Sequence, residues 1–86
     1  MAIEEDEESD DSGLSADELE KRLGAMKAAG NKHFSTKSFI EAIASFKEAI
    51  TLYSKNKETV HKTKSLLTLV TQCYTNRSLG WHKLNN

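Results

Sequence analysis

The stretch MKAAGNKHFSTKSFIEAIASFKEAI, residues 26–50, holds the most regular apolar pattern in the 86-residue chain. In its second half, apolar side chains recur at intervals of three and four residues, with polar side chains between them. This spacing gives an α-helix one face to bury and one face for solvent. We therefore predict a helix at residues 38–54, started by the capping sequence Ser38 to Glu41. Its buried stripe would be Phe39, Ala42, Ile43, Phe46, Ala49, Ile50 and Tyr53.

An earlier helix is predicted at residues 15–35. Ser15 to Glu18 form another capping sequence, in which the serine hydroxyl accepts a backbone hydrogen bond and the acids favour the positive end of the helix dipole. A short break at residues 35–37 joins the two helices, so we expect them to pack antiparallel. The packing face of this first helix would be Leu19, Leu23, Met26, Gly30, His33 and Phe34.

A third, extended helix is predicted at residues 59–84. The polar residues 54–57 separate it from the second helix, although they contain neither glycine nor proline. No segment alternates as a strand does, and the chain has no proline. We therefore expect an all-α fold of three antiparallel helices. The apolar positions of the third helix are Val60, Leu66, Leu67, Val70, Cys73, Tyr74, Trp81 and Leu84.

Charge is divided unevenly along the chain. Residues 1–20 contain ten acids and no base, whereas residues 21–86 contain twelve bases and three acids. Because residues 1–14 combine dense negative charge with little apolar content, we expect a disordered acidic tail there, followed by a helical domain at residues 15–86. A basic domain surface favours acidic partners. The tail either solvates the chain or mimics an acidic ligand and occupies a basic groove of the helical domain.

The sequence disfavours several functional classes. Its first residues are acidic and no apolar run reaches about 20 residues, so we expect a cytoplasmic protein without a signal peptide or a membrane partner. The single cysteine, Cys73, is interpreted as a small buried apolar residue. The histidines lack metal-ligand spacing, and no phosphate loop or catalytic triad is visible, so we expect no enzyme activity, metal or cofactor. Lysines dispersed over the helix faces argue against nucleic-acid binding.

Residues 26–50 resemble the tetratricopeptide-repeat (TPR) family. A repeat of about 34 residues in that family places a small glycine in its first helix and small alanines in its second. Gly30, Ala42 and Ala49 have this spacing, and their small side chains allow neighbouring helices to approach closely. Residues 74–84, YTNRSLGWHKL, resemble the first helix of a following repeat. Residues 74–84 begin later than a strict repeat of about 34 residues would place them, so residues 54–70 resemble an insertion.

Two dipeptides, Gly-Asn in the first repeat and Asn-Arg in the second, resemble those of the carboxylate-clamp co-chaperone type of TPR domain. That resemblance implies that Lys27, Asn31 and Asn76 bind the terminal carboxylate of Glu-Glu-Val-Asp tails on 70- and 90-kilodalton heat-shock chaperones. Lys27 and Asn31 lie four residues apart and therefore on one helix face, where an ammonium and an amide can both donate to a carboxylate.

The resemblance covers only the N-terminal part of such a domain. Two further basic clamp residues belong to a third repeat of the family, so we expect an incomplete site in residues 1–86. The expected function is a protein-interaction module of the co-chaperone adaptor type. One alternative is a general TPR scaffold that binds another acidic or helical segment. Another is a fragment or isoform that self-associates through apolar faces, including Leu67, Tyr74 and Trp81. A structural interpretation of Asn31 and Asn76 is that they brace the backbone between repeats.

Overall fold

Four α-helices make up the residues that the computed structural model describes, 12–85, and these residues include no strand. They are α1 (Ala16–Ser35), α2 (Phe39–Ser54), α3 (Lys57–His61) and α4 (Lys64–Asn85). The prediction of an all-α fold is confirmed. The first two helices match their predicted positions within one residue at either end. None of the helices in this part of the chain combines the length and the hydrophobicity that crossing a bilayer requires.

The third predicted helix, 59–84, differs from the structure, which divides it into α3 and α4 around Lys62 and Thr63. Val60 and Leu66 lie on the two sides of this break, and both are fully buried. Six residues apart in one continuous helix, they would point about 120° away from each other. The break allows both side chains to enter the core, and the result is four helices where three were expected.

The N-terminus of α1 is capped as the sequence predicts. The Ser15 hydroxyl oxygen accepts a hydrogen bond from the Glu18 backbone N–H at 3.2 Å. The carboxylate of Glu18 also accepts a hydrogen bond from Arg22 Nε at 2.9 Å. This Arg22 contact lowers the pKa of Glu18, and the positive charges of Arg22 and Lys21 add to the effect.

A tight turn with a left-handed residue ends α1. The backbone N–H of Ser38 donates to the His33 carbonyl at 2.8 Å, and that of Lys37 donates to the Phe34 carbonyl at 3.0 Å. These are the two bonds of a Schellman motif, in which the left-handed position is usually glycine. Here Lys37 takes that position with φ of 64°. The turn places the Phe34 and Phe39 rings edge to face, with their centroids 5.1 Å apart.

The predicted capping sequence of α2 is wrong in its chemistry, although Ser38 is the residue that precedes the helix. The Ser38 side chain makes no capping hydrogen bond. Its hydroxyl instead accepts a hydrogen bond from the Thr36 hydroxyl at 3.3 Å. The preceding turn fixes Ser38 with ψ of 71°, outside the usual N-cap geometry.

The helix α2 lies between α1 and α4 and runs antiparallel to both. Against α1, Phe39 meets Phe34 and Phe46 meets Gly30; against α4, Ile43 meets Gly80 and Tyr53 meets Tyr74. Of the predicted apolar stripe of α2, the core contains Ala42, Ile43, Phe46 and Ala49, together with Leu52, which lies outside that stripe. Ile50 and Tyr53 of the stripe are partly buried against this core. Leu67, Tyr74, Trp81 and Leu84, predicted on the apolar stripe of the third helix, are exposed. The fully buried side chains of the largest volume are Phe46, Leu19, Leu23, Leu66, Val60 and Cys73.

A buried asparagine ties the segment before α1 to the end of α2. Asn56 Oδ1 accepts a hydrogen bond from the Leu14 backbone N–H at 3.0 Å, and Asn56 Nδ2 donates to the Leu52 carbonyl at 3.0 Å. Leu14 also packs against the core. The structure therefore differs from the predicted tail boundary at residue 14. The rest of the predicted tail, residues 1–11, lies outside the described residues.

Candidate functional site

Four polar side chains from α1 and α4 meet along one side of the molecule. Lys27 Nζ on α1 donates to Gln72 Oε1 on α4. One turn further along both helices, Asn76 Nδ2 donates to Asn31 Oδ1 at 3.1 Å. We call these four residues the polar ladder. All three residues that the sequence predicts as a binding site, Lys27, Asn31 and Asn76, belong to it.

Helix geometry explains why these side chains meet. Lys27 and Asn31 are four residues apart on α1, as Gln72 and Asn76 are on α4, so each pair occupies one helix face. Both cross-helix bonds join residues separated by 45 positions. An equal separation at two successive turns means that α1 and α4 run parallel and in register. Because α2 is antiparallel to both, it returns the chain so that α1 and α4 become neighbours.

Gln72 is the member of the ladder that the sequence interpretation missed. The available signal was its position, one helical turn before Asn76, which places both side chains on one face of α4. Its carbonyl oxygen accepts the Lys27 ammonium, so this residue holds the lysine in place across the two helices.

The ladder is partly open to solvent. Lys27 and Asn76 are half-buried, and Asn31 and Gln72 are exposed. The Lys27 ammonium and the two asparagine amide groups are hydrogen-bond donors, and the acceptors that they now use are neutral amide oxygens. A carboxylate is a stronger acceptor for an ammonium than a neutral amide is. The arrangement can therefore exchange an internal hydrogen bond for one to an anionic group.

Cys73 lies beside the ladder in the core. Burial raises the pKa of its thiol, and the positive charge of Lys27 partly offsets this rise. The thiol is therefore protonated at neutral pH, and its sulfur has no exposed surface. This agrees with the interpretation of Cys73 as a small buried apolar residue.

Comparison with protein-family models, with curated proteins and with solved structures gives no match to this chain. The TPR assignment therefore stays a prediction that rests on the residues quoted for it.

Aromatic and cationic side chains brace the other face of α4. Tyr53 on α2 packs edge to face on Tyr74 at 6.4 Å between centroids, and its hydroxyl hydrogen-bonds His61 Nε2 at 2.8 Å. Arg77 lies over the Tyr74 ring, 5.5 Å from its centroid. These contacts join α2, α3 and α4. Within residues 12–85, no group of three histidine, cysteine or acidic side chains is arranged to hold a metal ion.

Proposed function

We propose that this chain is a protein-interaction module of the TPR type and that its polar ladder binds the terminal carboxylate of an acidic peptide. The observation that supports this most directly is that Lys27, Asn31 and Asn76, from segments 45 residues apart, lie on one side of two parallel helices. The family resemblance supplies the ligand: C-terminal Glu-Glu-Val-Asp tails of 70- and 90-kilodalton heat-shock chaperones. The proposal includes a cytoplasmic co-chaperone adaptor role.

The number of donors limits the affinity. Each hydrogen bond to a charged group contributes about 1.5–3 kcal/mol, and three donors face the ligand. Association itself costs at least about 4 kcal/mol in lost translational and rotational freedom. Only a few kcal/mol then remain, which corresponds to a Kd of roughly 1 mM. The ladder alone is therefore a weak site, and its selectivity for a free carboxylate is the property to test.

The test is a titration followed by amide chemical shifts. A peptide that ends in Glu-Glu-Val-Asp is added to the full chain and compared with the same peptide amidated at its C-terminus. We expect the free acid to shift the amides of Asn31, Gln72 and Asn76, and the amidated peptide to shift them far less. Equal shifts from the two peptides would show that the terminal carboxylate is not recognised.

Two lysine variants locate the binding site. Lys27→Ala removes the only cation of the ladder and is expected to weaken binding by about tenfold, equivalent to about 1.4 kcal/mol. The matched control is Lys32→Ala, on the same helix but about 140° around the axis from Lys27. It changes the net charge equally and should leave the shifts of Asn31 and Asn76 intact. An equal loss in both variants would indicate non-specific attraction between charges.

A second candidate function is self-association through an exposed apolar face of α4. Leu67, Tyr74 and Trp81 are seven residues apart, so they share one helix face, and they are 37%, 42% and 53% exposed. If this face joins two copies, sedimentation velocity should show a concentration-dependent dimer that Trp81→Gln abolishes. A monomer at every concentration would exclude this function and leave the peptide-binding proposal unaffected.

A further inference from the structure

A groove lies between α1 and α2, on the side of the molecule away from the polar ladder. Its volume is about 460 Å³, and three basic side chains, Arg22, Lys47 and Lys55, line it. Glu48 is the acid in its lining, and Arg22 also pairs with Glu18 at the edge of the groove. The lining therefore carries three bases against one acid. We call this surface the outer groove.

The floor of the outer groove is apolar. Met26 on α1 and Ala44 and Leu52 on α2 line it together with the charged residues. A groove with an apolar floor and basic walls suits an extended acidic segment that also carries an apolar side chain, since the two surfaces match in charge and polarity. A nucleic-acid backbone offers the negative charge but no aliphatic side chain for the floor.

Such a segment precedes the described residues of this chain. Residues 1–11 carry seven acids and no base, and Met1 and Ile3 are apolar. The described chain begins at the Lys55 end of the outer groove, where the Leu14 backbone is bonded to Asn56, the next residue after Lys55. Gly13 has φ of 73°, a conformation that lets the chain reverse direction immediately before that anchor.

Residues 1–11 are long enough to cover the outer groove. Ala44 on α2 and Lys55 at its C-cap are eleven residues apart, or about 16 Å at the helical rise of about 1.5 Å per residue. An extended chain covers that distance in about five residues at about 3.3 Å each. Eleven residues cover about 36 Å when fully extended, which exceeds the groove, so acids can lie beside Lys55 and Lys47 and Ile3 can reach the floor near Ala44 when the segment is not fully extended.

We propose that the outer groove binds the acidic segment of residues 1–11 of the same chain. Exposed ion pairs are individually weak, but the tether raises the effective concentration of the segment to about the millimolar range, so several weak contacts are sufficient. The groove is then an acidic-peptide site that is occupied internally, and an acidic segment of another protein has to displace residues 1–11 to bind there.

Paramagnetic broadening tests the proposal in the full chain. A nitroxide is attached to Ala2→Cys in a Cys73→Ala background, which leaves Ile3 unchanged. We expect a stronger loss of intensity at the amides of Ala44, Lys47 and Met26 than at those of Gln72 and Asn76. Broadening centred on Gln72 and Asn76 would place the segment in the polar ladder instead and overturn the proposal. No localised broadening, or uniform broadening, would also overturn it.

Charge variants and salt complete the test. Lys47→Glu with Lys55→Glu should remove the broadening at Ala44, whereas Lys62→Glu with Lys83→Glu, an equal charge change outside the groove, should preserve it. Raising the salt concentration to about 1 M shortens the screening length to about 3 Å, so the unmodified groove should lose the broadening as well. Equal effects of the two double variants, or broadening that salt leaves unchanged, would contradict binding by the outer groove. This result is independent of any peptide at the polar ladder.

Discussion

At Gly30, α1 and α2 approach each other closely. A Cβ atom at this position would lie 2.5 Å from two carbons of the Phe46 ring and 2.9 Å from a third. Phe46 is fully buried, so its ring cannot move into solvent to relieve the clash. Gly30→Ala should therefore cost about 3 kcal/mol, the upper end of the range for overpacking a core. Alanine has a higher helix propensity than glycine, which offsets about 1 kcal/mol of this cost. The free energy of unfolding should therefore fall by about 2 kcal/mol in total.

The matched control is Gly24→Ala on the same helix. A Cβ at position 24 would meet nothing within 4 Å, so only the propensity gain of about 1 kcal/mol remains. For a domain of this size, 1 kcal/mol shifts the Tm by about 4–8 °C. Thermal unfolding followed by circular dichroism should therefore show Gly30→Ala lower than the parent by about 8–16 °C and Gly24→Ala higher. If both alanines raise the Tm alike, the close contact of Gly30 with Phe46 is refuted.

Three other variants probe features described above. Lys37→Gly should raise the free energy of unfolding by about 1 kcal/mol because glycine adopts positive φ without steric cost, and urea unfolding should show no such gain for Thr36→Gly, whose φ is −93°. Asn56→Ala should lower it by about 2 kcal/mol, since the Leu14 N–H loses its partner and the Leu52 carbonyl keeps only its bond from the Lys55 N–H; unchanged stability in urea would contradict this. The pKa of Cys73 is raised above its ordinary 9.0, so the unfolded chain loses that proton first and stability should fall as pH rises past about 9. Urea unfolding of Cys73→Ala over the same pH range should show a smaller fall in the free energy of unfolding above about pH 9.

The helices could be predicted from the sequence because their signals are local. The capping residue Ser15 and the apolar spacing of α1 and α2 depend on neighbours within one or two turns. The break at Lys62 and Thr63 could not be predicted in this way. It depends on the burial of both Val60 and Leu66, which is set by contacts with distant helices. The Ser38 cap failed for a related reason, since the turn through Lys37 determines the backbone geometry of Ser38.

The candidate site was located from the sequence through the family pattern, and the structure brings its three residues together. Residue spacing alone could place Lys27 and Asn31 on one face, but it could not place Asn76 beside them. That neighbourhood depends on the parallel arrangement of α1 and α4, which the antiparallel α2 creates between them. The outer groove was not anticipated, because its charged side chains come from the solvent-facing sides of two helices, which periodicity identifies only as polar.

The separation of 45 residues between bonded partners also determines the order in which the chain can fold. Contacts between α1 and α2 close a short loop, whereas α4 must return across a long one, at a greater entropic cost. The hairpin of α1 and α2 can form before α4 docks, and the polar ladder exists only after docking. Local opening that releases α4 would remove this site while leaving the hairpin and the outer groove in place. A ligand at the ladder should therefore slow hydrogen exchange in α4 more than in α2.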